Sequence, residues 1–313
     1  MATTTSSPAS GPTAASGSGG PPAAPRRHRR PVEGIYYAFL LPALVLFTLS
    51  ITLPAIMGIF FSFTNSIGFG DWEFNGLINY QALFTDPAIW ESYRFTMLFA
   101  ATTVIIVNVV AFLLAVGLTS RIKFKTALRA IFVIPMVVSG IIIAFVFNFL
   151  FSNSVPQAGQ ALGIGWLSES ILANPDLAWV AIVLVTAWQA IPSTLLIYIA
   201  GLLAIPEDVY EAADLDGASK LQTLLRITLP LVAGYVVINV IISFKNFLNA
   251  YDIIVGLTDG GPGTATRSIA MTIVTGFTDG DYAYQMANAT IFFLIVIGLS
   301  LLQLLATRGR NVL

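Results

Sequence analysis

Residues 211–230 read EAADLDGASKLQTLLRITLP and form a polar segment between two stretches that are apolar enough to cross a bilayer. A first short helix is predicted to stop at Gly217, because glycine takes the positive φ that closes a helix at little cost. Ser219 and Gln222 have the spacing of a capping box, which predicts the start of a second helix. The segment therefore predicts two short helices joined by a tight turn, within an insert that covers 205–230.

The composition is that of a protein whose solvent is mostly lipid. Hydrophobic residues make up 56% of the chain, charged residues make up 10%, and the mean hydropathy is +0.82. The chain has no cysteine, so it cannot form disulfides or use thiol catalysis. It has a single histidine, His28, so zinc binding and Ser-His-Asp chemistry are nearly excluded. A soluble enzyme is nearly excluded, and we expect neither a catalytic residue nor a metal site.

The N-terminal residues differ from the rest of the chain. Residues 1–25 are dominated by Ala, Ser, Thr, Gly and Pro, and four arginines follow at Arg26, Arg27, Arg29 and Arg30. Such a segment buries too little apolar surface to offset the entropy lost on ordering. We predict a disordered tail with a basic end over 1–30 and a transmembrane domain over 31–313.

Six stretches are apolar enough to span the membrane. A hydrocarbon core about 30 Å thick requires roughly 20 apolar residues in a helix. The six stretches lie near 36–63, 94–118, 127–151, 178–204, 231–252 and 285–307. We therefore predict an all-α membrane protein with six transmembrane helices.

The basic residues predict the orientation of these spans, since Lys and Arg accumulate on the cytoplasmic side of a membrane. Those on the predicted cytoplasmic side are Arg26, Arg27, Arg29, Arg30, Arg121, Lys123, Lys125, Arg129, Lys220, Arg226, Arg308 and Arg310. Only Arg94 and Arg267 fall on the other side, which carries most of the acidic loop residues. Both termini and the 205–230 insert are predicted to be cytoplasmic.

Polar side chains in the fifth span form two stripes at 100° per residue. The first stripe is uncharged, lies near mid-membrane and suits a ligand made of hydroxyl groups; it contains Asn239, Ser243, Asn246 and Ala250. Phe247 lies on its flank, where it could stack on a sugar ring. The second stripe is interpreted as a structural ion pair bridged by an amide; it contains Lys245, Asn249 and Asp252. Hydrogen bonding between helices is the alternative role for the first stripe.

The fourth span carries two further candidates for the substrate path. Gln189 and Ser193 lie one turn apart, and Pro192 between them frees a backbone carbonyl and predicts a kink. Trp188 is interpreted as packing.

The insert resembles the EAA loop of binding-protein-dependent ABC importer permeases. The residues that carry this resemblance are Glu211, Ala212, Ala213, Gly217, Ile227, Leu229 and Pro230. It implies the fold of a type I importer permease, in which this insert, Asp216 included, forms a cytoplasmic coupling helix that receives the power stroke of a separate ATPase. An ordinary amphipathic loop between two spans is the alternative.

A second resemblance narrows the branch. Residues 257–262 read LTDGGP, and with 200–202 and 205–207 they resemble sugar-importer permeases, specifically the F-type subunit of maltose transporters, over about 180–265. This implies transport of a di- or oligosaccharide of the maltose or maltodextrin type. It also implies that sugar contacts come from the fourth and fifth spans, here at Gln189, Ser193, Ser243 and Phe247. Unlike some members, this chain has no large external insertion and no room for eight spans.

The resemblance also implies partners. These are a second homologous permease subunit, two copies of a cytoplasmic ATPase that carries the ATP and Mg²⁺, and an external solute-binding protein. The chain itself is expected to need no cofactor, to catalyse nothing alone and to bind no nucleic acid. Its expected place is the bacterial plasma membrane.

Two other classes remain as alternatives. An ion- or proton-coupled secondary transporter would use Lys245 and Asp252, although we find no inverted repeat. A membrane-embedded glycan enzyme would need two acidic groups at one membrane depth, and Asp252 is the only acidic residue placed inside a span. Nucleotide binding at 260–263 is disfavoured, because this glycine-rich loop lacks the Lys-Ser/Thr of a P-loop and is predicted to face outward.

Overall fold

The computed structural model of the chain describes residues 34–120 and 123–308, so the predicted tail over 1–30 lies outside the described residues. These residues are helical, and a single isolated β-bridge joins Thr64 and Phe74. The all-α prediction is confirmed. The helices are α1 Gly34–Phe47, α2 Leu53–Phe61, α3 Ile78–Thr85, α4 Pro87–Thr119, α5 Lys125–Val137, α6 Gly140–Phe149, α7 Val155–Ala161, α8 Ala178–Leu203, α9 Glu207–Leu215, α10 Lys220–Thr223, α11 Leu229–Leu231, α12 Ala233–Leu248, α13 Asp252–Thr258, α14 Ile269–Thr278 and α15 Tyr282–Arg308.

The chain divides into two compact units at Thr52. In the first unit, helix α1 leads into a short π-helical segment, and its large apolar side chains from Phe39 onward are exposed. The second unit contains the remaining helices and the whole of the buried core.

Five helical stretches are long and apolar enough to cross a membrane, and a sixth span results if one bent pair is counted as a single span. The five are Phe39–Phe61, Pro87–Thr119, Gly140–Ala161, Ala178–Leu203 and Tyr282–Leu305. The bent pair is Lys220–Leu231 with Ala233–Leu248, at an angle of 67°. The six-span prediction therefore holds in number if the bent pair is counted as one span.

Two predicted spans have different bounds in the structure. The third, predicted over 127–151, is broken near Val138 because α5 ends there, and the span-length helix starts at Gly140 instead. The fifth, predicted as one helix over 231–252, ends at Leu248.

Prolines produce the local irregularities. Each of the three π-helical segments in the described residues ends two positions before a proline: Thr48–Thr52 before Pro54, Leu150–Ser154 before Pro156, and Leu224–Thr228 before Pro230. Proline has no N–H and its ring pushes against the carbonyl four residues earlier, which here is the middle of each segment. The widened turn accommodates that clash.

The core forms where helices approach closely through small side chains. Helices α4 and α8 pack along much of their length, and Ala100, Ala111 and Ala115 are fully buried between helices. Small residues let helix backbones come together in a membrane, where burial of apolar surface gives little driving force. The paired helices α4, α8 and α12 thus form the frame that positions the insert.

Candidate functional site

The insert has the predicted form of two short helices and a turn. Helix α9 ends at Leu215, and Gly217 follows with φ +71°. The backbone N–H of Gly217 donates to the carbonyl of Asp214 at 3.1 Å and that of Ala218 donates to Ala213 at 3.0 Å, which closes the turn. The predicted stop of the first helix is therefore confirmed.

The second helix of the insert starts with a complete capping box. The Ser219 N–H donates to Oε1 of Gln222 at 2.8 Å, and the Gln222 N–H donates to Oγ of Ser219 at 3.3 Å. These two reciprocal bonds satisfy backbone donors that the first turn of a helix leaves free. They fix the direction in which the chain leaves the turn.

Most of the insert's predicted coupling residues are on the surface. Glu211, Ala212, Asp216, Gly217, Leu229 and Pro230 are exposed, whereas Ala213 is buried. The insert also exposes apolar side chains: Leu215 is 89% exposed and Leu221 is 64% exposed. Both leucines thus belong to the exposed surface of the insert.

The insert is joined to the fifth span through a buried elbow. The Thr228 hydroxyl donates to the Tyr210 hydroxyl at 3.4 Å, which ties the π-helical segment back to α9. Val232 is fully buried at the 67° bend between the insert and α12. The elbow therefore connects the insert directly to the start of α12.

The exposed face of helix α12 differs from the face that the sequence predicts for the substrate path. Its exposed residues lie on one side: Ile238, Ile242, Lys245, Asn246 and, just beyond its end, Asn249. Asn239, Ser243 and Phe247, predicted to line the substrate path, are buried. Of the first stripe's polar members only Asn246 reaches the exposed face.

The buried members of the first stripe have packing roles. The Asn239 amide donates to the carbonyl of Thr194 on α8 at 3.3 Å. The ring of Phe247 meets that of Phe99 on α4 edge-on, with centroids 6.4 Å apart. Interhelical hydrogen bonding, the alternative left open for this stripe, describes Asn239.

The second stripe is not an ion pair. Lys245 and Asp252 are both exposed and lie on different helices, and no ion pair joins these two described residues. The amide of Asn249 donates to the backbone carbonyl of Lys245 at 2.9 Å, where it caps the end of α12. The predicted pair assumed a continuous helix, and the chain breaks at 249–251 instead.

The fourth span places its two candidates differently. The Gln189 amide donates to the carbonyl of Val138 at 3.1 Å, at the break between α5 and α6. Ser193 is exposed, and its hydroxyl donates to the carbonyl of Ala190 at 2.9 Å. Trp188 packs on Phe147 with ring centroids 5.5 Å apart, as interpreted from the sequence.

The glycine-rich loop after α13 is held internally. Thr266 is fully buried, its hydroxyl donates to the carbonyl of Gly261 at 2.6 Å, and it lies 2.8 Å from the hydroxyl of Thr258. Asp259 and Gly260 both take positive φ. The loop is a tight structural turn, and its hydroxyl contacts were not predicted because Thr266 lies outside the Gly-Gly-Pro motif.

Sequence comparison gives the family. Residues 120–311 match the family described as binding-protein-dependent transport system inner membrane component. The chain belongs to this family. Its members are inner-membrane transport components, which agrees with a multi-pass membrane protein.

Several named relatives align over nearly their whole length. A probable starch degradation products transport system permease protein of Thermoanaerobacterium thermosulfurigenes is 34% identical over 282 residues, covering 90% of this chain and 96% of the relative. A trehalose/maltose transport system permease protein of Thermococcus litoralis is 33% identical over 277 residues, covering 88% and 94%. The sn-glycerol-3-phosphate transport system permease protein of Brucella abortus is 29% identical over 279 residues, covering 87% and 94%.

A solved structure shares the fold. A chain of a bacterial ABC transporter involved in the import of the acidic polysaccharide alginate superposes with a TM-score of 0.77, covering 88% of this chain and 96% of that chain. At 19% sequence identity the likeness concerns the fold alone. The all-helical architecture of this family member is therefore that of a type I ABC importer permease.

Proposed function

We propose that this chain is the permease subunit of an ATP-driven ABC importer for a di- or oligosaccharide. The observation that carries the proposal is the alignment, at 33–34% identity and over nearly full length, with permeases named for starch degradation products and for trehalose and maltose. Maltose or maltodextrin is the neutral member of this class that the sequence resemblance favours. Since the family is binding-protein-dependent, a proton-coupled secondary transporter and a membrane-embedded glycan enzyme are both disfavoured.

The exposed insert supports a cytoplasmic ATPase as partner. Two copies of such a subunit would hold the ATP and Mg²⁺. One copy would bind this chain, and the other would bind a second, homologous permease. A solute-binding protein on the external side is supported by a related alginate transporter solved with a pentasaccharide-bound periplasmic protein. In this arrangement the chain sits in the plasma membrane with both termini and the insert in the cytoplasm.

The exposed face of α12 supports a path along Lys245, Asn246 and Asn249. Lys245 is twelve residues beyond Ala233, which corresponds to about 18 Å along the helix. A charged side chain at the centre of a membrane costs about 2.5–3.5 kcal/mol when it faces lipid, so such residues face a water-filled path or a partner. On α8, Ser193 is an exposed hydroxyl and is proposed to belong to the same path.

The same lysine favours a second candidate, an acidic saccharide. Lys245 has no ion-pair partner among the described residues, so an anionic group on the substrate could neutralise it. The two candidate substrates therefore predict different effects of replacing Lys245.

ATP hydrolysis by the assembled complex tests both candidates. The complex of both permeases and the ATPase, with the binding protein present, is offered maltose, maltotriose, trehalose and a uronic-acid trisaccharide. Stimulation by a neutral sugar that survives Lys245→Gln supports the first candidate. Stimulation by the uronic-acid trisaccharide that is lost in Lys245→Gln and kept in Lys245→Arg supports the second, and no stimulation by any saccharide refutes the proposed function.

A further inference from the structure

Three buried polar side chains connect helices α4, α8 and α12 near the insert. The Tyr198 hydroxyl on α8 donates to Oδ1 of Asn108 on α4 at 2.8 Å. The Asn239 amide on α12 donates to the carbonyl of Thr194 on α8 at 3.3 Å. Tyr198 and Asn239 are each 1% exposed. We call Asn108, Tyr198 and Asn239 the polar clasp.

Each member of the polar clasp has at least one hydrogen-bond partner inside the helix bundle. The Asn108 amide donates one N–H to the carbonyl of Val104 at 2.8 Å. Buried hydrogen bonds in a low-dielectric interior are directional and stiff, because each bond that breaks leaves a buried polar group without a partner. Apolar packing alone lets helices slide at a much smaller cost.

The clasp lies between the insert and the middle of the membrane. Tyr198 is five residues before the end of α8, and Asn239 is six residues after the start of α12. Each residue is therefore about 8–9 Å, measured along its helix, from the helix end next to the insert. Between the clasp and the insert, α8 and α12 touch closely: a side-chain carbon added at Gly201 would meet the ring of Tyr235 at 2.7 Å. Both helices that flank the insert are therefore held together just above it.

We infer that Tyr198 is a positioning residue that makes α8, the insert and α12 move with α4 as one body when the ATPase displaces the insert. This inference rests on the proposed function. Without the clasp, displacement of the insert would be absorbed by sliding of α12 against α8 and α4. ATP hydrolysis would continue, but less of its work would reach the path along α12.

A second tyrosine provides a matched control. The Tyr93 hydroxyl on α4 donates to Oδ1 of Asn288 on α15 at 3.1 Å, so it too joins two spans through an asparagine. It lies near the opposite end of α4 and connects to neither helix that flanks the insert. Tyr→Phe at either site deletes one hydroxyl and keeps the ring.

The test measures saccharide transported per ATP hydrolysed in liposomes that contain the complete complex and the binding protein. The probe is the radiolabelled member of the four-saccharide panel that stimulates the wild-type complex most. Tyr198→Phe is expected to lower the ratio by about 5-fold or more, the low end of typical coupling between sites. Tyr93→Phe is expected to leave the ratio at the wild-type value, whatever either change does to melting temperature.

Equal ratios in wild type, Tyr198→Phe and Tyr93→Phe would overturn the inference and leave the proposed function intact. A wild-type complex that transports no saccharide with ATP would refute the proposed function instead. If Tyr198→Phe is not recovered as an assembled complex, Tyr198→Phe with Asn108→Leu removes both partners of the α8–α4 bond, so that the amide oxygen is not left buried without its donor. A ratio about 5-fold or more below the wild-type value in this double variant supports the inference, and a wild-type ratio refutes it.

Discussion

Replacing Gly217 with valine should uncouple the insert from the ATPase without unfolding the protein. Gly217 has φ +71°, and no atom lies within 4 Å of the position that a side-chain carbon would take. Crowding therefore contributes nothing, and the effect comes from the backbone alone. An L-residue in the left-handed region pays about 1–2 kcal/mol, and more if it is β-branched. That energy corresponds to a factor of about 5–30 in the equilibrium constant for forming the observed turn.

The assay is saccharide-stimulated ATP hydrolysis by the purified complex, with co-purification of the ATPase as a second readout. Gly217→Val should lower the stimulation by up to that factor of about 5–30. Gly217→Asn is the matched control, because asparagine visits the left-handed region readily, and it should keep most of the activity. Wild-type stimulation in Gly217→Val, or an equal loss in both variants, would refute the reasoning.

Three further predictions follow from the structure. A cysteine at Ser219 should react with an impermeant thiol reagent only in inverted vesicles, and one at Thr264 only in intact cells; the reverse labelling would invert the topology. Asn246→Leu should lower uptake about 5-fold through loss of one hydrogen bond of about 1 kcal/mol, with assembly unchanged, whereas Ser243→Leu should lower the melting temperature of the complex. Gly256→Val should destabilise it by about 1–3 kcal/mol, because a side-chain carbon there meets Ala144 at 2.5 Å; an unchanged melting temperature would contradict that packing.

The insert is the part that sequence reasoning predicted best, because its signals are local. A capping box depends only on Ser219 and Gln222, and a helix stop depends only on Gly217, so neither requires knowledge of the tertiary structure. The three π-helical segments were not predicted. Their signal is also local, a proline two residues beyond each segment.

The faces of the fifth span could not be read from periodicity alone. The sequence groups Asn239, Ser243 and Asn246 correctly within a narrow arc, yet which arc is buried depends on α4 and α8, which contact α12 from far along the chain. Phe247 is buried because Phe99 on α4 lies against it. Polarity suggested a ligand face, whereas Asn239 satisfies its amide inside the helix bundle.

The polar clasp was missed for a related reason. Asn108 and Tyr198 lie in apolar spans and belong to no motif. Ninety residues separate them, and only the packing of α4 on α8 brings the hydroxyl within 2.8 Å of the amide oxygen. Polar residues inside apolar spans are expected to have hydrogen-bond partners. Only the structure shows which residues are paired.

Uptake into sealed vesicles tests the central claim most directly. The chain is reconstituted with the second permease and the ATPase, and labelled saccharide is supplied outside with the binding protein while ATP is enclosed. The account predicts uptake that requires both ATP and the binding protein, that persists when a protonophore collapses the proton gradient, and that falls in Gly217→Val. Uptake that needs the proton gradient and proceeds without ATP would contradict it.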